Sequence, residues 1–367
     1  MTLTSVVLLV IGLVLLVVGA EAFVRGASQL AALVGVSPLV IGLTVVAYGT
    51  SLPELAVSTI SAYQGATDVA IGNVVGSNIA NVLLILGLSA LVAPLIVSQQ
   101  LVRLDVPIML GVSILVWFMG RDGNLSRLEG AVLFAGIIAY TAFLIIQSRK
   151  EEKAIKEEYA KEYGEVPEPT NANWLKIAGL IIGSLVMLVL GSNFLVDGAI
   201  AIAEAFNVSK LVIGLTIVAV GTSLPEMATS VVASYRGERD IAVGNVVGSN
   251  IFNILMVLGA SALLTTDGLA FSPTVYAFDM PVAIGVALAC LPIFFRGEIA
   301  RWGGLLFLAY YIVYVVYLLM TASTEPNSSL PVFQQVVLYG ALPLTAVLLI
   351  GTAVHSWRVK GDARWVK

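Results

Sequence analysis

Glu54 closes the run Gly49-Thr50-Ser51-Leu52-Pro53-Glu54, and Glu226 closes the same six residues at Gly221-Thr222-Ser223-Leu224-Pro225-Glu226. Each run lies in the middle of a long apolar stretch. A proline inside a helix removes a backbone donor and clashes with the carbonyl four residues earlier, so the carbonyls near Gly49 and Thr50, and those of the second copy, are expected to leave the helical ladder. In lipid a freed carbonyl needs a partner. The Thr and Ser hydroxyls one turn before each Glu share its side of the helix. Backbone, hydroxyl and carboxylate oxygens are thus offered together to a cation. An ionised carboxylate at this depth is costly unless it is paired, yet the Lys and Arg residues fall in loops or at span ends. Glu54 and Glu226 are therefore expected to be protonated or to hold a cation.

A second segment is also doubled. Gly72-Asn73-Val74-Val75-Gly76-Ser77-Asn78-Ile79-Ala80-Asn81 returns as Gly244-Asn245-Val246-Val247-Gly248-Ser249-Asn250-Ile251-Phe252-Asn253. Ser77 and Asn81 are four apart and share a face, as do Ser249 and Asn253, so their oxygens can complete a coordination sphere or bond between helices. Gly72 and Gly76 have the spacing that lets helices approach closely, and packing is expected of them. Asp68 and Asp240 open their spans and are expected to serve the helix start, as are Asp105 and Asp279 ahead of their prolines.

All these ligands are hard oxygens, which favours calcium, magnesium or alkali cations over zinc or copper. Magnesium demands tight octahedral geometry, so a flexible ring of two carboxylates and several carbonyls suits calcium better. Two negative charges balance one dehydrated Ca²⁺, two Na⁺ or two protons. Exclusive occupancy by one cation or the other gives obligatory exchange when access to the site alternates.

The elements that position these groups follow from composition. Of 367 residues, 59% are hydrophobic and 11% charged, and about eleven stretches reach the roughly 20 apolar residues that span a bilayer. The basic residues form no stripe, so no nucleic-acid partner is expected. With one cysteine, Cys290, and one histidine, His355, neither a disulfide framework nor a clustered Cys/His metal site is available, and no cofactor is expected. The first span, about residues 5 to 24, ends in Ala20-Glu21-Ala22 like a signal peptide, but lacks a basic leader and has a partner in the second half; it reads as a retained helix.

Residues 38 to 91 align without gaps on 210 to 263, with about two-thirds of positions identical. Each copy reads as five spans, near 5 to 24, 36 to 62, 68 to 93, 104 to 120 and 128 to 147 in the first. Five is odd, so the second copy sits upside down relative to the first. The expected fold is an all-α integral membrane protein with two inverted five-helix repeats, 1–147 and 174–321, joined by a charged cytoplasmic linker, 148–173. An eleventh transmembrane helix and a cytoplasmic tail fill 322–367. With the linker inside, all but Arg121, Arg127 and Lys210 of the 19 Lys and Arg lie on the cytoplasmic side, as the positive-inside rule requires. The N-terminus is then outside and the C-terminus cytoplasmic, in a multi-pass protein of the cell membrane. The linker reads as a solvated connection, and the eleventh span as a packing or oligomerisation helix.

The doubled GTSLPE with a following GNVVGSN-I-x-N resembles the two alpha-repeats of the calcium/cation antiporter superfamily, and specifically its prokaryotic sodium/calcium exchangers. The resemblance runs from about residue 5 to 321. It implies that Glu54 and Glu226, with the backbone oxygens of Thr50 and Thr222, hold calcium. It further implies that Ala47, Ser51 and Ser77, with Ala219, Ser223 and Ser249, complete sodium sites, and that Asn81 and Asn253 meet at the centre. The potassium-dependent branch has Asp where this chain has Asn253, so exchange without potassium is expected. The proton/calcium branch has Glu where this chain has Gly76 and Gly248, which makes proton/calcium antiport through the same glutamates the alternative to sodium/calcium exchange. Most members also end after ten spans. A membrane hydrolase using the two glutamates is disfavoured, since no His, Cys or Lys lies at depth to assist, and a passive channel would conduct calcium without a counter-ion.

Overall fold

The computed structural model describes residues 3–148, 169–206, 208, 210–213, 216–217, 219–322 and 328–360. The charged linker at 149–168, the tail residues Arg364 and Lys367 and the side chain of His355 lie outside the described residues. The first half holds α1 (Leu3–Val34), α2 (Pro38–Thr50), α3 (Leu52–Tyr63), α4 (Thr67–Val92), α5 (Leu101–Asp122) and α6 (Arg127–Ser148). The second holds α7 (Asn171–Ala205), the short α8 (Lys210–Ile213) and α9 (Ala219–Gly221), then α10 (Leu224–Arg236), α11 (Arg239–Leu264), α12 (Val275–Phe294) and α13 (Arg301–Ala322). A last helix, α14, covers Leu330–Thr352. Nine helices among the described residues are long and apolar enough to cross a membrane, and the α2–α3 pair, bent by 46°, makes ten. The remaining expected span, in the second half, includes 214, 215 and 218, which lie outside the described residues.

α1 is longer than the expected first span and continues to Val34. Arg25 is thus within the helix, where it pairs with Glu21 at 2.5 Å; Arg236 reaches the same carboxylate from the end of α10. α1 and α7 run antiparallel in close contact. A Cβ on Gly12 would lie 2.5 Å from the Leu195 backbone nitrogen, and one on Gly198 2.8 Å from the Ser5 carbonyl.

The helices carrying the doubled segments, α4 and α11, form the most buried part of the bundle. Glycine contacts recur reciprocally around them. Gly87 of α4 meets Gly304 of α13, and Gly259 of α11 meets Gly130 of α6. Gly244 and Gly248 press against the backbone of α2, with ideal Cβ positions 2.9 Å from the Leu39 carbonyl and 2.7 Å from that of Leu43. Gly72 and Gly76 differ: among the described residues nothing comes within 4 Å of a Cβ at either. Packing therefore accounts for the second pair of glycines and not for the first.

Two short ladders join the halves at opposite ends. Strand β1 (Leu95–Ile96) pairs antiparallel with β4 (Glu298–Ile299), and β2 (Asn124–Leu125) with β3 (Leu269–Ala270).

The four aspartates correct the capping expectation in part. Asp68 and Asp240 do lie in first turns, where the helix dipole favours an acid, but the caps themselves are Ala66 and Glu238, neither with a capping side-chain bond. Asp105 and Asp279 cap nothing. Each is helical and buried in the second turn of its span, where it accepts a 2.9 Å hydrogen bond from a tyrosine of the next helix, Tyr140 or Tyr314. A buried carboxyl without such a donor would be far more costly than one at a helix start.

Matching grooves lie beside these tyrosines. In the first half a cavity of about 400 Å³ is lined by Leu104, Ile108, Val112 and Tyr140, together with Leu255 of α11. Its counterpart of about 530 Å³ in the second half is lined by Phe278, Val282, Val286 and Tyr314, together with Leu83 of α4. Only the second is roofed by α14 among the described residues, through Phe333, Val337 and Leu342. Tyr310, which stands where the first half has Gly136, fastens that roof by donating to the Ala341 carbonyl at 3.0 Å and by meeting Thr345 Oγ1 at 2.6 Å.

Candidate cation-binding site

The chain breaks where the prolines require it. Ser51 (φ −82°, ψ 7°) and Ser223 (φ −89°, ψ 8°) leave helical geometry, and α3 and α10 start afresh with Pro53 and Pro225 in their first turns. A π-helical stretch at Gly42–Val46 precedes the first break. The carbonyls released by the prolines are not equivalent. That of Gly221 accepts a 2.6 Å hydrogen bond from Ser192 of α7, so a hydroxyl takes the place expected for a cation there. The first half has Ala20 in the position of Ser192 and offers Gly49 no such donor.

These breaks place Glu54 and Glu226 in the first turns of α3 and α10, both with zero exposure. The halves exchange hydroxyls. Ser223 Oγ donates to Glu54 Oε1 at 3.1 Å, and Ser51 Oγ donates to Glu226 Oε1 at 3.2 Å. Ser77 Oγ adds a long contact of 3.5 Å to Glu54 Oε1. The other oxygen of each carboxylate, Oε2, is buried and has no hydrogen-bond partner. Among the described residues no lysine or arginine pairs with either acid, while Arg25 and Arg236 both pair with Glu21. The two glutamates are near enough to interact electrostatically.

Below this pair α4 and α11 cross through four amides. Asn78 and Asn250 donate to each other's backbone carbonyls at 3.1 and 3.2 Å. One turn on, Asn81 Nδ2 donates to Asn250 Oδ1 and Asn253 Nδ2 to Asn78 Oδ1, both at 3.0 Å. Asn81 and Asn253 therefore each reach the opposite half without bonding to one another, because Asn250 and Asn78 stand between them. Their carbonyl oxygens, Asn81 Oδ1 and Asn253 Oδ1, are buried and unpartnered, as is Ser249 Oγ. Buried polar atoms in folded proteins are almost always bonded, and these five bare oxygens are a donor set of the chemistry that a cation takes. Hard oxygens of this kind fit calcium or sodium.

The other expected ligands are placed as follows. Thr50 is fully buried, and its hydroxyl lies 3.1 Å from both the Val46 carbonyl and Asn245 Oδ1. Thr222 reaches Asn73 Oδ1 at 3.5 Å. Ala47 is buried and its carbonyl accepts from the Ser51 N–H at 3.0 Å. Of Ala219 only the backbone, in α9, is described. Sequence reasoning passed over Asn73, Asn245, Asn78 and Asn250, although all four stand in the doubled segment at the same spacing as the residues it chose.

The family described as "Sodium/calcium exchanger protein" matches residues 4–146 and 176–320. The sodium/calcium exchanger MaX1 of Methanosarcina acetivorans is 36% identical over 349 residues, covering 87% of this chain and 99% of its own. The inner membrane protein YrbG of Escherichia coli is 38% identical over 292 residues, 78% of this chain and 89% of its own. A solved structure of the sodium-calcium exchanger NCX_Mj, soaked with zero Na⁺ and Ca²⁺, superposes with a TM-score of 0.74 at 34% identity and covers 87% of this chain and 100% of that one.

Proposed function

Because the chain belongs to the sodium/calcium exchanger family, whose members are transporters and not enzymes, its activity is cation/Ca²⁺ antiport, and we propose that it exchanges Na⁺ for Ca²⁺ at Glu54 and Glu226. The observation that carries this reading is the pair of fully buried carboxylates, each held through one oxygen by a serine of the opposite half and each with its second oxygen bare. One Ca²⁺ between the bare oxygens neutralises both acids. The backbone oxygens of Thr50 and Thr222 join the carboxylates in holding that Ca²⁺. Sodium ions are accommodated singly, with Ala47, Ser51 and Ser77 on one side and Ala219, Ser223 and Ser249 on the other, and Asn81 and Asn253 supply neutral oxygens at the centre. The two halves, 1–147 and 174–321, act as inverted repeats around this site, so rocking one against the other alternates its access. The antiparallel α1 and α7 and the reciprocal glycine contacts support that arrangement.

In proteoliposomes, an outward Na⁺ gradient is expected to drive uptake of radioactive calcium with K⁺ replaced by choline. Both acids are glutamates and the central pair are amides, so no third negative charge stabilises a bound K⁺ against its neighbour. Uptake that follows a pH gradient and ignores Na⁺ would instead establish proton coupling, and uptake that returns only with K⁺ would mean Asn253 has been misread.

Protons compete for the same oxygens. Each proton on Glu54 or Glu226 removes a charge that calcium requires, so uptake falls as pH is lowered from about 8 to about 5. A rate flat across that range counts against calcium binding at the paired acids.

The protein is placed in the cell membrane with its N-terminus outside, its C-terminus cytoplasmic, and the lipid bilayer as its surroundings. The inner-membrane relative supports the membrane placement, and the basic-residue asymmetry supports the orientation. A cysteine introduced at Gln64 is expected to react with an impermeant maleimide on intact cells, and one at Glu298 only after permeabilisation. Equal labelling of both refutes the orientation.

A further inference from the structure

Asn73 and Asn245 touch neither bare carboxylate oxygen, yet each spans the two halves. Asn73 Nδ2 donates to Ser58 Oγ at 2.9 Å and to the Glu54 backbone carbonyl at 3.4 Å, while its Oδ1 accepts from Thr222 Oγ1, across the site, at 3.5 Å. Asn245 repeats this on the other side. Its Nδ2 donates to Ser230 Oγ at 2.9 Å and to the Glu226 carbonyl at 3.4 Å, and its Oδ1 accepts from Thr50 Oγ1 at 3.1 Å. A primary amide has two N–H donors and one carbonyl oxygen, so each side chain spends both hydrogens on its own half and its oxygen on the other. The orientation is not arbitrary. Turning either amide over would set its oxygen against the glutamate carbonyl, which has no hydrogen to give.

We propose that Asn73 and Asn245 are positioning residues that hold the glutamate of one half in register with the threonine of the other, and thereby set preference for calcium over sodium. This rests on the reading that Glu54 and Glu226 bind the transported cation. A single Ca²⁺ must be met by both carboxylates at once, so its affinity depends on the relative placement of the halves. A sodium ion is satisfied by one carboxylate and nearby neutral oxygens, and tolerates slack between them. Preorganised ligands lower the cost of binding, and here that saving falls on the divalent ion.

The experiment compares half-saturation for Ca²⁺ and for Na⁺ in proteoliposomes for Asn73→Ala, Asn245→Ala, Thr222→Val and the Asn73→Ala/Thr222→Val double variant. The expected result is at least a tenfold rise for Ca²⁺ with less than a threefold change for Na⁺ in the single variants. The double variant should be no worse than the poorer single one, since both remove the same link. Thr222→Val keeps the side-chain volume, so it remains informative if the alanine variants fold poorly; calcium-induced thermal stabilisation of the detergent-purified protein gives a second readout and should shrink without loss of the sodium effect. Equal shifts for the two ions, no shift, or additive losses in the double variant overturn the proposal. Glu54→Gln, run alongside, separates the two readings: if it transports normally the cation site itself is wrong, whereas if it is inactive while Asn73→Ala and Thr222→Val match the wild type, only the positioning role falls.

Discussion

Glu54→Gln and Glu226→Gln should each lower calcium uptake by at least ~100-fold while leaving a folded, inserted protein, in keeping with the several kcal/mol lost when one partner of a buried charge pair is removed. Glutamine has the shape of glutamate and keeps a carbonyl oxygen able to accept from Ser223 or Ser51, so the hydroxyls exchanged between the halves survive. The bare position, Oε2, becomes an NH₂ group. Its hydrogens then point at the space a cation must occupy, and the site retains a single negative charge against a divalent ion. Uptake in proteoliposomes, read together with a monodisperse elution profile, checks both halves of this expectation. Either variant exchanging near the wild-type rate would remove the paired-carboxylate site from consideration.

Gly248→Ala should be far more damaging than Gly76→Ala, although the two glycines occupy the same place in the doubled segment. A methyl group on Gly248 would meet the Leu43 carbonyl at 2.7 Å and the Leu43 Cα at 2.8 Å, both backbone atoms that cannot swing aside. α2 would have to part from α11 beside the break that presents Thr50 and Ser51. Overpacking of this kind typically costs about 1–3 kcal/mol, and here the strain falls on the ligands themselves, so transport should drop by about tenfold or more. At Gly76 the same methyl meets nothing within 4 Å among the described residues, and near-normal transport is expected. Equal losses at both positions would show that the halves pack alike in the working protein. Thermal unfolding and calcium uptake measured side by side distinguish the outcomes.

Much of this site was legible from residue types and spacing. The prolines foretold the breaks at Ser51 and Ser223, and the unpaired acids marked their own importance because hydrocarbon gives an isolated carboxylate no other way to persist. Contacts between distant segments were not legible. Nothing local says that Ser192 will cap the Gly221 carbonyl from α7, or that Tyr140 and Tyr314 will reach back 35 residues to Asp105 and Asp279. An aspartate just before a proline looks like a helix start, and only the continuation of the helix through it, with a tyrosine waiting on the next span, shows otherwise. Asn73 and Asn245 were hidden differently: they sit among polar neighbours that coordinate more obviously, and their role exists only across the two halves.

The last helix bears on energetics. On the proposed arrangement of two inverted halves, the end states of the carrier are related by symmetry, and symmetry alone would make them equally populated in the absence of ions. α14 lies on the groove of the second half, fastened by Tyr310, while among the described residues no such helix lines the matching groove of the first half, where Gly136 stands in place of that hook. Any motion that reshapes the roofed groove must drag a helix or break its hydrogen bonds, and the open groove carries no such fastening among the described residues. The degeneracy is thereby lifted. A difference of about 1.4 kcal/mol is a tenfold shift in resting population, so a helix fastened to one half alone is a large enough asymmetry to bias which end state waits for its ions.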